Sequence, residues 1–384
     1  MATVFKTLTN NDISTTRTLL HEAIPITGSI VSGTYNQAGA VAPNSEENIK
    51  TYSHGMFESV YDYPYLSSSA NHIFDITMGI SPASSFSSSA SPITQQTKRI
   101  NLYNELAQVL VGHDATGSIM RFDEDGDITG GGTKLNECYF LNFSRLLTKD
   151  EIKKGSFNLE LGVGSSFQSN PASQTTFAKR ILIQDSSGST GYKVNSPAGE
   201  YGILFATGSN DAQGDVLKFS GSANAGVACG LIFYQAGIAV ISGSVFNRVA
   251  AGGILHNSNV GSSGLGQDFL LNGMDSMTGS SIDIMANGLR NRIYNVSFNN
   301  TTELNSTIYF CRANHNDFNY SSNPTYVTAS KMRVKNVSTD TPVSYITTVG
   351  MYSADNELLA VAKLSEPLKK TPENEITLRV RLDY

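Results

Sequence analysis

From Ile376 to Tyr384 apolar and polar side chains alternate: Ile376, Leu378, Val380, Leu382 and Tyr384 share one face, and Thr377, Arg379, Arg381 and Asp383 the other. A period of two predicts a strand with one covered and one wet face. Phe157, Leu159, Leu161 and Val163 repeat the pattern against Asn158 and Glu160. Ile181-Leu182-Ile183 and Ile203-Leu204-Phe205 are short apolar runs with polar or glycine flanks, as buried strands have. Between Gly230 and Phe246, Gly237 interrupts a run holding Leu231, Ile232, Phe233, Ile238, Val240 and Ile241. Its β-branched and aromatic content predicts two buried strands rather than one helix. Tyr294, Val296 and Phe298 are expected to pair with Ile308 and Phe310 across a turn at Asn299-Asn300-Thr301-Thr302. Ile346 to Tyr352 and Glu357 to Leu364 flank Ser353-Ala354-Asp355-Asn356, a hairpin signature.

Helical spacing is rarer. A short helix is expected near Asp12 to Glu22, ended by Pro25. Leu102, Leu106, Val109 and Leu110 recur at three- and four-residue spacing in a helix beginning near Thr97, with Gly112 where a C-cap belongs. Thr148 and Glu151 form a capping box that predicts a second short helix, closed by Gly155 after Lys153 and Lys154. Ser281 to Ile293 is a third helical candidate despite Gly288.

The expected fold is mainly β with a few short helices: sandwich-like β domains plus an extended N-terminal region. Residues 1–95 lack clean periodicity and fit either an arm that docks on other chains or a small strand-and-loop subdomain. Within them Phe57 to Leu66 is aromatic, with Tyr61, Tyr63 and Tyr65 around Pro64, and Ser84 to Ser91 is a serine-rich link. Residues 96–250 read as a helix followed by a β domain, and 251–384 as a C-terminal β-rich domain that opens on a Gly/Ser/Asn-rich loop. No repeat of fixed period is present.

Composition sharpens the picture. Only 16% of the 384 residues are charged, with Ser, Thr, Asn and Gly in their place. That suits a β protein whose exposed faces carry hydroxyls, or whose surface lies against neighbours. The net charge is -6 and no basic run exists; Lys153-Lys154 and Lys369-Lys370 are isolated pairs. Nucleic-acid binding, which requires phosphate neutralisation, is not expected. No apolar stretch is long enough for a membrane span, and Met1 to Lys6 lacks the regions of a signal peptide. Cys138, Cys229 and Cys311 are an odd number spread far apart and read as free thiols, with no zinc spacing.

Candidate chemistry is sparse. Asp123, Asp125 and Asp127 alternate as carboxylates in a calcium loop do, but the sixth position of that frame is Ile128 and the twelfth is Lys134. An acidic surface turn before Gly130-Gly131-Gly132 fits better. Those glycines lack the Lys-Ser/Thr of a phosphate loop. The histidines (His21, His54, His72, His113, His256 and His315) fall in no metal-binding frame. Cys311 and His315, four apart at a strand end, are not expected to meet. Gly261 to Gly266 fails as a nucleophile elbow. Distant paired carboxylates of a glycosidase leave no local signature, and the absence of tryptophan counts against sugar chemistry. No catalytic residue and no cofactor are assigned.

Three segments resemble virion structural proteins of contractile-tailed phages, particularly those infecting marine cyanobacteria and related hosts. They are Leu8-Thr9-Asn10-Asn11-Asp12 through Ile24-Pro25-Ile26-Thr27-Gly28-Ser29, Phe310-Cys311-Arg312-Ala313-Asn314 through Asn319-Tyr320-Ser321-Ser322-Asn323-Pro324, and Thr348-Val349-Gly350-Met351-Tyr352 to Asp383-Tyr384. Phe140 to Gly155 is similar as well. The resemblance implies a non-enzymatic subunit of the tail, baseplate or neck, made in the host cytoplasm and resident in the virion. It also implies homo-oligomeric symmetry and contacts with other virion proteins. A head decoration protein, a receptor- or carbohydrate-binding tail protein and a particle-borne hydrolase are the alternatives. Asn314 to Pro324 fits a contact loop or an irregular connection equally.

Overall fold

The computed structural model describes residues 5–25, 49–63, 65–88, 94–126, 132–163, 179–209, 226–246, 281–319, 327–328, 331–332 and 341–383. In chain order the first strands are β1 (Ile13–Pro25), β2 (Ile49–Thr51), β3 (Glu58–Tyr61), β4 (His72–Ile80), β5 (Glu137–Phe143) and β6 (Glu151–Ile152). They are followed by β7 (Asn158–Val163), β8 (Lys179–Gln184), β9 (Lys193–Ser196), β10 (Gly199–Ser209), β11 (Val227–Phe233) and β12 (Ile238–Ser242). The last are β13 (Ile293–Ala313), β14 (Val327–Thr328), β15 (Lys331–Met332), β16 (Ser344–Tyr352), β17 (Leu358–Lys370) and β18 (Ile376–Asp383). Among the described residues two helices exceed a single turn, α1 (Gln96–Leu110) and α2 (Ile282–Arg292). The protein is mainly β, as its alternating pattern predicts.

The chain forms two compact units, His21–Thr302 and a discontinuous one of Met1–Leu20 with Glu303–Tyr384. The boundaries expected near residues 95 and 250 both fall inside the larger unit.

In the larger unit the strand order is β13-β7-β8-β10-β11-β12-β5-β4-β3-β2, with β1 and β6 also beside β13 and β9 beside β10. The pairings from β7 to β2 are antiparallel. The central strands are covered on both faces, which explains why they read as apolar runs rather than alternating ones. Tyr139, Leu141 and Phe143 of β5 and Ala239 and Ile241 of β12 join one core with Ile282, Met285 and Leu289 of α2. Their sequence neighbours Cys138, Phe140 and Val240 point to a second core with Tyr103, Ala107 and Leu110 of α1, Phe122 and Phe233. The break at Gly237 is the turn between β11 and β12, where its φ of 68° suits glycine. Residues 49–80, left open between arm and subdomain, supply three strands of this sheet.

In the smaller unit β18 pairs antiparallel with Ser306–Ala313 of β13, and β16 and β17 form a two-stranded hairpin. The predicted turn lies between Tyr352 and Leu358, with Asn356 at a φ of 64°.

Three expectations are corrected. Asp12 to Glu22 is not a helix: Ile13–Pro25 is a strand, consistent with the β-branched Ile13, Thr15, Thr16 and Thr18. The helical turn at Arg145–Thr148 precedes Glu151, because Lys149 turns to a positive φ and Glu151 and Ile152 pair with Thr301 and Asn300. Residues 299–302 are not a turn but the middle of the 21-residue strand β13. Successive stretches of that strand pair with β7, β6 and β18, so tertiary partners keep it extended where Asn and Thr alone suggest a reversal.

Candidate functional site

Asp123 lies in a tight reversal closed by backbone hydrogen bonds from Leu135 N to Phe122 O (2.9 Å) and from Glu124 N to Thr133 O (3.0 Å). Its carboxylate is fully buried, pairs with the Lys134 ammonium, and accepts from Asp125 N at 3.1 Å. Burial pushes the Asp123 pKa up and the Asp125 side chain adds to this, while Lys134 opposes both. The lysine that breaks the calcium-loop frame thus supplies the positive charge itself. Asp125 is exposed, and Asp127 lies outside the described residues. Among the described residues no group of three or more His, Cys, Asp or Glu side chains could hold a metal ion.

A second acid was not visible in the sequence. Asp185, just after β8, is buried and accepts on Oδ2 from the Tyr234 hydroxyl and from Gly155 N, both at 2.7 Å. Burial raises its pKa despite these donors and Lys154. A buried acid of raised pKa is the profile of a general acid, which must reach its substrate within hydrogen-bonding distance. Asp185 has no such room. A Cβ added at Gly188 would stand 2.1 Å from Oδ2, and one at Gly202 would stand 2.1 Å from the Tyr234 hydroxyl. Beside it Lys154 binds Glu200 at 2.6 Å and Glu151 at 3.3 Å, with its Nζ over the rings of Tyr192 and Tyr234. Burial lowers the Lys154 pKa, but the two glutamates outweigh it and hold the ammonium charged. The cluster fastens four segments of the larger unit together.

A third network lies on β3 and β4. Ser59 and Asp75 are cross-strand partners, as are Tyr61 and His72. Asp75 Oδ1 accepts from Ser59 Oγ at 2.5 Å and contacts His72 Nε2 at 2.8 Å. With Ser59 donating to Asp75, the Tyr52 hydroxyl at 3.2 Å donates to Ser59. Serine, histidine and aspartate are therefore together, but wired in the wrong order for nucleophilic catalysis. In a triad the imidazole bridges serine and acid and takes the serine proton. Here the carboxylate is the bridge, the imidazole does not contact Ser59 among the hydrogen bonds described, and Ser59 is buried.

The thiols are equally unsuited to chemistry. Cys138 and Cys229 are buried and Cys311 is half-buried. Burial first, then Asp12, raises the Cys311 pKa, which disfavours the thiolate. His315 faces Glu375 at 3.4 Å. The Gly/Ser/Asn-rich loop and most of the Gly130 to Gly132 run lie outside the described residues.

In the smaller unit the buried apolar side chains among the described residues are Ile308 and Ala313. Its hairpin leaves Tyr345, Tyr352, Leu358, Leu359, Val361 and Leu368 exposed, and Phe318, Leu19 and Leu20 are exposed as well. The hairpin is anchored at its base, where buried Lys370 donates to His315 O (3.1 Å), Asn319 Oδ1 (3.2 Å) and Thr371 O (2.7 Å).

No protein-family model, curated protein or solved structure matches the chain. Among the described residues no helix is long and apolar enough to cross a membrane.

Proposed function

We infer that the chain is a non-enzymatic structural subunit of a tailed-phage virion, in the tail, baseplate or neck, acting through protein–protein contacts in a symmetric assembly. One observation carries the reading: a unit assembled from both chain ends exposes several large apolar side chains on its hairpin while burying few among the described residues. An exposed two-stranded ribbon is marginal on its own in water, and large apolar side chains left on it favour an interaction site. Covering the hairpin with a neighbouring subunit supplies the burial that the unit lacks. The resemblance of both chain ends to virion proteins, and the low charged fraction, support the same reading. Asp123 supports it from the other side, since its buried carboxylate is paired with Lys134 and takes the Asp125 amide.

Cryo-electron microscopy of intact phage particles carrying the chain tests this. The expected result is density for the chain in a symmetric ring or wedge, with β16 and β17 covered by a neighbour. Density only at exposed fibre tips, or absence from the particle, overturns the proposal.

A further inference from the structure

At the base of the β16–β17 hairpin Lys370 is fully buried, and among the described residues no carboxylate lies within ion-pairing distance of it. Its Nζ meets three neutral oxygens instead: Thr371 O, His315 O and, at 3.2 Å, Asn319 Oδ1. Burying an ammonium among neutral acceptors is costly, and this unit has little apolar packing to offset it. The Asn319 amide is itself held, since Nδ2 donates to His315 O at 2.6 Å. Its carbon, Cγ, is no more than one carbonyl bond farther from Nζ than Oδ1 is. Asn374, also near, is engaged elsewhere: Oδ1 accepts from Thr371 N at 2.7 Å and Nδ2 donates to Lys369 O at 3.0 Å. Asp317 stands two residues before Asn319. The Lys6 side chain, the Asn314 amide and then the charges of Lys6 and Lys370 hold its carboxyl below the usual carboxylate range.

We propose that Lys370 and Asn319 join through an isopeptide bond that the folded chain forms by itself. The Lys370 ammonium gives one proton to the Asp317 carboxylate, and the freed amine attacks Asn319 Cγ. The Nζ–Cγ bond forms and the Cγ–Nδ2 bond breaks. Nδ2 leaves as ammonia and takes up the proton given off, so the products are a secondary amide and an ammonium ion. The exchange of one amide for another needs no oxidant and no co-reactant. What the fold supplies is proximity, holding amine and amide together as an intramolecular pair. The product replaces a buried charge by a neutral amide. It also closes the chain covalently between residues 319 and 370, restricting the unfolded state as a disulfide does. Such a bond survives reducing surroundings, and the three cysteines of the chain are free.

The bond lies within the smaller unit and does not depend on the chain's place in a particle, so mass spectrometry of the isolated full-length chain tests it. The intact mass should fall short of the sequence mass by one ammonia. A tryptic digest should contain a branched peptide joining residues 313–331 to residues 370–379. Lys370→Arg should lose both signals, whereas Asn319→Asp should give the same branched peptide with water lost in place of ammonia. Followed from cell-free synthesis, Asp317→Asn should slow the appearance of the bond at least about tenfold. An intact mass equal to the sequence mass, with no branched peptide, overturns the proposal. So does ammonia loss without the branched peptide, which is the mark of a succinimide at an asparagine. A bond that appears equally fast in Asp317→Asn overturns the proton path.

Discussion

At Asp185 the folded chain keeps a carboxyl group out of water, with Tyr234 and Gly155 donating to one of its oxygens. Burial dominates and raises its pKa, so the folded state holds a proton at pH values where the unfolded carboxyl has already lost it. The stability from this group is fully present below the unfolded carboxylate pKa and is lost as pH rises through the folded value. Asp185→Asn should flatten that dependence, measured as urea midpoints between about pH 4 and about pH 7. Asp185→Ala should cost about 1–3 kcal/mol at low pH, because it strands the Tyr234 hydroxyl and the Gly155 amide, and less as pH rises through the folded value. An unchanged pH profile in Asp185→Asn would show that the burial penalty is not the controlling effect. None of this is legible from the sequence, where Asp185 follows a strand and precedes Ser186-Ser187-Gly188, an ordinary polar turn. Its partners Gly155 and Tyr234 are brought to it only by the sheet. The same holds for Ser59, His72 and Asp75, whose meeting depends on the register between β3 and β4.

Among the elements, those whose own period matches their packing are read correctly from the chain. The turn-marked β16–β17 hairpin, the Gly237 break and the helices at 96–110 and 282–292 all lie where local pattern puts them. Strands whose partners are remote are not, as β1 and the centre of β13 illustrate. How closely two elements approach is also a tertiary property. At Gly79 on β4 an added Cβ would lie 2.9 Å from Tyr103 N and 3.0 Å from Arg99 O, both backbone atoms of α1. Gly79→Ala must therefore push the helix from the sheet, at an expected cost of about 1–3 kcal/mol. Chemical denaturation should show a lowered midpoint with an unchanged slope. Full retention of stability would mean that α1 can slide on β4 without loss.

Over the whole molecule, burial is uneven between the two units. The larger one holds two cores and the smaller one almost no buried apolar side chain among its described residues. In the isolated chain, amides of β16 and β17 should exchange with solvent much faster than those of β5 and β12, and proteases should cut the smaller unit first. Equal protection of the two sets would remove the need for a covering partner. Leu359→Ser with Val361→Ser, both exposed, should lower incorporation into particles while leaving the larger unit's unfolding within about 0.5 kcal/mol. A matching loss of unfolding stability would instead place those side chains in the fold's own packing.

By itself the sequence determined the class of the protein and most of its elements. Period-two alternation, β-branched runs and turn residues are local quantities, and a mainly β chain with few helices follows from them. It also placed Lys134 at the last position of the calcium-loop frame, the lysine that the fold pairs with Asp123. Tertiary structure decided the rest: that β13 runs straight through an Asn/Thr stretch, that the chain ends combine into one unit, and which acids are buried. Those outcomes depend on groups far apart in sequence whose hydrogen bonds and burial exist only once the sheet has formed, and no local pattern encodes them.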